Sequence, residues 1–515
     1  MPKFGRRLNA GKLFRLRKGG PFIGADVRRG GRLGALGWQH MDALTPRVSM
    51  TEPPVRSAMV DQALLWAFIA GLAWCPFWFG SNVLLALGVN AVLFPGLVII
   101  YELSLLIRGE RHPVGIQHIK IPAALFGAVV LWILIQNATW TPHWLHHPIW
   151  RMAADALDKP IDGSISVNRD LTTLALLRLI TAASVFWIAL QLCRDAARAN
   201  ILLWSVAALG CAYAAYGLFA FVLTPGWSEN PLSRGVVTST FINPNSFVAY
   251  AGVGFITICG LILRLYRREF ATVGGSTRSR IATFIEVTGR KGAVLLGGAV
   301  VVLVALLLSA SRGGIASTAF GLFGLGALTL RLRKQQFAEQ REAIILVGAL
   351  LVAAVFLVFG DAVVGKIARQ GLNDESRMAV YIITTRSILG APLLGYGYGT
   401  FADVFPMFRD QSVSTWGKWE LAHNTYLEVF QGLGLLFGSM LVGSVVLLVL
   451  RCVKGAMTRQ TSETIPCVAA SAAFLLGVHA LVDFSLQMQA VAITFMALLG
   501  AGVAQSQSSR VTLGD

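Results

Sequence analysis

Apolar runs recur along the whole chain, each bounded by a short polar or basic stretch. They fall near residues 60–79, 82–107, 121–137, 171–193, 200–223, 246–266, 293–310, 314–330, 343–360, 425–450, 464–482 and 488–505. Runs of about 17–25 apolar residues match a hydrocarbon core of ~30 Å crossed by an α-helix. The runs are apolar all round rather than along one stripe. A soluble helical solenoid would show polar faces every few residues, and is excluded. The pattern therefore predicts an all-α, polytopic membrane protein with about twelve transmembrane helices. One long polar stretch breaks the rhythm, residues 361–424. It predicts a large extramembrane loop containing short helices, among them an amphipathic segment over 378–389.

Composition agrees. The chain is 55% hydrophobic and 14% charged, where a soluble protein carries about a quarter charged residues. Its net charge of +18 is distributed by topology, so nucleic acid is not needed to explain it. With the N-terminus inside, the stretches 108–120, 194–199, 267–292, 331–342 and 451–463 are cytoplasmic, and every one is basic. The opposite loops mix both signs. This alternation is the positive-inside rule applied along the whole length. It puts both termini in the cytoplasm, with 60–505 as the membrane domain and 506–515 as a short tail. Residues 1–59 form a basic, glycine-rich arm suited to an anionic lipid surface. No apolar segment follows directly as in a signal peptide, and Met50 or Met59 would also serve as a start. The six cysteines lie mostly in or beside apolar runs without metal-ligand spacing, so neither disulfides nor a metal site is expected. Loop 138–170 carries Trp140, His143, Trp144, His146, His147 and Trp150. These suit an interfacial anchor better than a metal site, since no carboxylate or Cys completes a ligand set.

Under this topology the unusual polar motifs all face outward. Ser233-Arg234-Gly235 precedes Thr240-Phe241-Ile242-Asn243-Pro244-Asn245-Ser246, in which Asn245 or Ser246 is expected to cap the next helix. Arg234 beside that helix start would strengthen an anion site. Ser309-Ala310-Ser311-Arg312-Gly313-Gly314 is a tight turn between helices. Its Arg312 either snorkels to headgroups or meets a ligand that the glycines let close. Glu375-Ser376-Arg377 is either a surface pair or part of a site. Gly395–Gly399 lacks the strand-turn-helix setting of a dinucleotide loop and reads as a flexible turn. His423-Asn424 opens a helix close to Glu428, and His423 is the one imidazole there able to exchange a proton near neutral pH. Asp483 lies between two apolar spans and needs a partner, an arginine among the candidates.

The ordered set Thr240-Phe241-Ile242-Asn243-Pro244-Asn245, Ser311-Arg312-Gly313, Glu375-Ser376-Arg377, Pro392-Leu393-Leu394-Gly395-Tyr396-Gly397 and Ala422-His423-Asn424-Thr425-Tyr426-Leu427 resembles the O-antigen ligase and O-antigen polymerase family of bacterial envelope proteins. The basic arm and loop 138–170 fall outside the shared pattern. The resemblance implies a metal-independent, cofactor-free glycosyltransferase of the bacterial inner membrane, with its active site facing the periplasm. The donor would be a glycan on undecaprenyl diphosphate. The acceptor would be a lipid A–core sugar for a ligase, or a lipid-linked glycan for a polymerase. A chain-length regulator protein is among the partners it implies. The family's functional arginines map onto Arg234 and Arg312, with Arg377 beside them, and its functional histidine onto His423. Glu375, Asn243, Asn245 and Asn424 join them as substrate-binding candidates. The rival reading is a lipid-glycan flippase. A flippase would place charges at mid-membrane, where Arg178 is the clearest example.

Overall fold

The computed structural model describes residues 55–223, 235–272, 286, 288–331, 375–413, 418–459 and 463–507. Among them the chain is helical, with no strand. Fourteen α-helices follow in order. They are α1 (Val55–Trp74), α2 (Leu84–Arg108), α3 (Lys120–Asn137), α4 (Ile149–Leu157), α5 (Arg169–Leu192), α6 (Ala196–Leu223) and α7 (Pro244–Thr272). Then come α8 (Ala293–Leu308), α9 (Arg312–Arg331), α10 (Glu375–Gly390), α11 (Phe401–Phe408), α12 (Thr425–Thr458), α13 (Thr464–His479) and α14 (Gln489–Ser506). Eleven of the twelve expected spans coincide with these helices; the span at 343–360 lies outside the described residues. Among the described residues, seven helices are long and apolar enough to cross a membrane by length and composition. The protein is a polytopic α-helical membrane protein.

Several boundaries differ from the apolar pattern, because hydropathy marks depth and not helix ends. α12 continues basic-ward to Thr458, and α7 reaches Thr272. α1 starts at Val55, inside the stretch assigned to the arm, and stops at Trp74, where the chain turns through Phe79, Gly80 and Ser81, all with positive φ. α13 stops at His479, leaving residues 480–484 as a turn.

α7 and α14 form the centre. In each, 83% of the apolar window is buried, against 22–39% in the other five spanning candidates. Small residues let the backbones approach there. A Cβ on Gly210 of α6 would meet the backbone of Gly254 of α7 at 2.8 Å, and one on Gly500 of α14 would meet the carbonyl oxygen of Phe186 at 2.5 Å. Buried polar groups are matched between helices, as where Asn90 donates to Gln489 at 2.7 Å.

The ends of the long helices sort into two groups. At one end Asp61 bridges Arg108 and Arg198 at 3.2 and 3.1 Å. There too Arg267 meets Glu463 at 3.6 Å and the carbonyl of Thr329 at 2.7 Å. The other end gathers the starts of α7, α9, α12 and α14 with the ends of α8 and α13.

At that second end α12 is broken. Gly434 has φ 76° and ψ 169°, a conformation essentially reserved for glycine. The backbone groups freed by the break are taken up by the glycine loop before α11. Tyr396 N–H donates to Gln431, Gly397 N–H to Gly432, and Leu435 N–H to Pro392 at 2.7 Å. Gln136 of α3 donates to the carbonyls of Gly432 and Leu394. A broken helix is tolerated at membrane depth when neighbours satisfy its backbone in this way. The run Gly395–Gly399 is thus a close-packed dock and not the flexible turn its composition suggests. A Cβ on Gly395 would lie 2.3 Å from the oxygen of Gly432. Loop 138–170 covers the other side of the dock, with Val167 N–H donating to Tyr396 and Trp150 to Ser166. Tyr398 in the dock lies near Arg178 of α5 and Glu428 of α12; burial, with the Glu428 charge and against the Arg178 charge, pushes its hydroxyl up to about 12.

Gly434→Ala should destabilise the protein by about 1–3 kcal/mol or more through its backbone conformation alone, since its Cβ would also sit 2.4 Å from the oxygen of Leu393. Gly443→Ala in the same helix, where the nearest atom is 4.0 Å away, is the control. Equal melting temperatures for the two purified variants would refute this account of the break.

Candidate functional site

The second end of the bundle is built on the turn between α13 and α14. Four successive carbonyls of this turn accept from other segments. Ala480 takes the N–H of Thr425 at 2.9 Å, and Leu481 the side-chain amide of Asn424 at 2.9 Å. Val482 takes Nη1 of Arg377 at 3.2 Å, and Asp483 the hydroxyl of Thr425 at 3.2 Å. The turn therefore aligns the start of α12 and the start of α10 on one strip of backbone.

The Asp483 side chain is 1% exposed. Its Oδ2 accepts from Asn245 at 2.8 Å, and its Oδ1 from Ser485 at 2.8 Å. Nδ1 of His423 stands 3.6 Å from Oδ2, an ion-pair distance just beyond a normal hydrogen bond. That nitrogen is buried and has no hydrogen-bond partner among the described residues. Burial by itself would raise the Asp483 carboxyl. The His423 ring, the neighbouring His479 and the Ser485 hydroxyl outweigh it and hold the carboxyl below its ordinary value.

The network extends to the α8–α9 turn. Asn245 Oδ1 accepts from the Ser311 hydroxyl at 2.7 Å, and the Ser311 oxygen accepts the N–H of Gly314 at 3.2 Å. Arg312 opens α9 directly after this serine, half-buried. Asn245 is available for this role because Asn243 takes over the capping of α7. Its Oδ1 accepts the N–H of Asn245 at 2.8 Å, with Pro244 in the first helical position. The cap is thus Asn243, and not Asn245 or Ser246. At α12 the cap is Asn424, whose Oδ1 accepts from Leu427 at 3.1 Å. The side chains of Asn243, Asn245 and Asn424 all have partners within the protein.

The His423 ring is held between Phe484 and Trp419, at centroid separations of 4.8 and 5.9 Å. Its backbone is left-handed, φ 55°. The Tyr381 hydroxyl of α10 donates to its carbonyl at 2.9 Å.

The structure thus brings together the segments bearing Asn243, Asn245, Arg312, Arg377, His423 and Asn424. Arg234 and the Glu375 side chain lie outside what is described. Asp483 is the hub; a carboxylate between two apolar runs was the signal for it, but the partners that meet it are asparagine, serine and histidine. His479 and Tyr381 went unread in the sequence. The four-residue spacing of His479 and Asp483, one helical turn at the end of an apolar run, was the available signal for the first. Tyr381, in an amphipathic segment, gave none. Of the titratable groups in loop 138–170, His146 meets the Thr141 hydroxyl at 3.0 Å, and burial lowers His147.

Residues 297–442 match the family model described as O-antigen ligase. Over that stretch the chain is similar to the O-antigen ligase family. No curated protein matches the chain. The matched stretch runs from within α8 into α12, and so contains Ser311, Arg312, Arg377 and His423. Asn245 and Asp483, which bond to it, come from either side of the matched stretch.

Asp483→Asn keeps one acceptor oxygen, for Asn245, sets an amide NH2 beside the Ser485 hydroxyl, and removes the charge facing the imidazoles. It should cost about 1–3 kcal/mol near pH 6. Because the folded carboxyl lies below its unfolded value, its contribution is present above the ordinary carboxylate range. It is lost as pH falls through the depressed folded value. The gap in melting temperature between wild type and variant should therefore close below about pH 4. A gap that widens on acidification contradicts the arrangement.

Proposed function

We propose that the protein transfers a glycan from an undecaprenyl-diphosphate carrier to a sugar hydroxyl at the periplasmic face of the bacterial inner membrane, as an O-antigen ligase or polymerase. The observation that carries this reading is the convergence of His423, Arg377 and the Ser311-Arg312 turn around the Asp483 turn, within and beside the stretch similar to the O-antigen ligase family.

Outside the cytoplasm neither nucleotide sugar nor ATP is at hand, so the donor must carry its own energy, as a sugar diphosphate does. In the proposed reaction the acceptor oxygen attacks the anomeric carbon while the bond from that carbon to the diphosphate oxygen breaks. The acceptor proton passes to His423, and the carrier diphosphate leaves. Attack from the face opposite the leaving group inverts the anomeric centre. With Nδ1 of His423 turned to Asp483, Nε2 is the nitrogen left to take the proton. The carboxylate both orients the ring and stabilises the imidazolium that forms, the logic of a carboxylate–histidine pair. Charge grows on the leaving diphosphate. Planar guanidinium groups, which bind phosphate oxygens in pairs, are suited to it, and Arg312 and Arg377 are assigned that role together with Arg234. Glu375 orients one of these arginines. Asn243, Asn245 and Asn424 shape the rim on which the donor sugar rests. The acceptor is a lipid A–core sugar or a lipid-linked glycan. A chain-length regulator is a natural partner in the polymerase case.

His423→Ala should lower turnover by about 10²–10⁴-fold while binding of the lipid diphosphate stays near wild type. Arg312→Lys keeps the charge but loses the fork, and should cost about tenfold or more in kcat/KM. Wild-type transfer in a purified assay with either variant would remove the corresponding role. In cells lacking the protein, single repeats on the lipid A–core mean that polymerisation is lost. Unligated polymer on the carrier means that ligation is lost.

A further inference from the structure

Glu428 lies one turn inside α12, yet its carboxylate reaches back out of the helix, where Oε1 accepts the N–H of Ala422 at 2.6 Å. This is a longer-range relative of the capping box, in which a carboxylate of the first turn satisfies a backbone donor ahead of the helix. The side chain of Gln487, from the α13–α14 connection, supports the same carboxylate.

The residue enclosed between the Ala422 N–H and the Asn424 cap is His423. Its left-handed backbone is disfavoured for a residue with a Cβ and has to be imposed by its surroundings. Three contacts impose it. Glu428 holds the N–H of the preceding residue, Ala422. The Tyr381 hydroxyl holds its carbonyl at 2.9 Å. The Asn424 amide pins the next residue to Leu481 at 2.9 Å. With the backbone fixed, the ring stands against Phe484 and faces Asp483. Without the Glu428 contact the Leu421–Ala422 peptide loses its bond to α12, and the backbone that follows can relax to an ordinary conformation that turns the ring away.

We propose that Glu428 is a positioning residue for His423, acting through the Ala422 N–H to hold the imidazole on Asp483. This rests on the reading of His423 as the proton acceptor.

The test uses full-length protein in lipid, with transfer measured from a lipid-diphosphate-linked glycan. Glu428→Ala should lower kcat by about tenfold or more with donor KM within about twofold, because the aim of the base is lost and not the donor site. Glu428→Gln retains an oxygen able to accept the Ala422 N–H, and should restore kcat to within about threefold of wild type with an unchanged pH–rate profile. The proposal is overturned if Glu428→Ala turns over like wild type, or if Glu428→Gln is as slow as Glu428→Ala, which would assign the effect to the charge. Should Glu428→Ala fail to accumulate in the membrane, Glu428→Asp withdraws the carboxylate by one methylene. The same fall in kcat supports the proposal, and wild-type turnover refutes it. His423→Ala measured in parallel separates the two levels. If it is inactive while Glu428→Ala is active, only the positioning role fails; if it is fully active, the assignment of the base fails and the positioning role with it.

Discussion

A carboxylate shielded from water between apolar helices must be neutralised or hydrogen-bonded, because an isolated buried charge is prohibitively costly. Asp483 is such a group, and much of the organisation at its end of the bundle follows from satisfying it. Asn245 and Ser485 supply the donors, and the His423 ring faces the same carboxylate at 3.6 Å. Each of these commitments draws in a further segment. Asn245 can serve only because Asn243 caps α7 in its place, and Asn245 in turn anchors Ser311 and the turn that opens α9. The carbonyls around Asp483 then fix the starts of α10 and α12. A single electrostatic requirement links four parts of the chain that are far apart in sequence.

The fold was largely legible in the sequence, because a bilayer leaves one simple solution for a long apolar run, a helix with its backbone bonds internal. Lysine and arginine marked one set of helix ends, and there the basic groups do meet acidic partners, as at Asp61 and Arg267. Helix ends were not, because caps and breaks depend on single residues. Asn243 and Asn245 both suit a cap, and only the position of Pro244 in three dimensions decides between them. The break at Gly434 was invisible for a related reason. One glycine among several in an apolar run carries no mark until a second glycine segment packs against it.

The candidate residues stood out in the sequence as a set, but the bonds between them did not. His423, Arg312 and Arg377 stood out as polar groups where the chain is otherwise apolar. What connects them, a carboxylate after α13 and a tyrosine hydroxyl on α10, comes from sequence-distant positions whose pairing no local pattern encodes. The asparagines show the same limit from the other side. Their residue type suits sugar recognition as well as turn chemistry, and their bonds are spent within the protein.

The stretch that matches the ligase family ends at residue 442, while the carboxylate facing its histidine lies beyond it at Asp483 and the asparagine that steadies both lies before it. The recognisable segment is therefore not a self-sufficient cassette. A chimera that grafts residues 297–442 onto another membrane scaffold would carry the imidazole and the guanidinium groups but leave behind the carboxylate that faces the imidazole. Any exchange of specificity between such proteins has to move the flanking helices α7, α13 and α14 along with it.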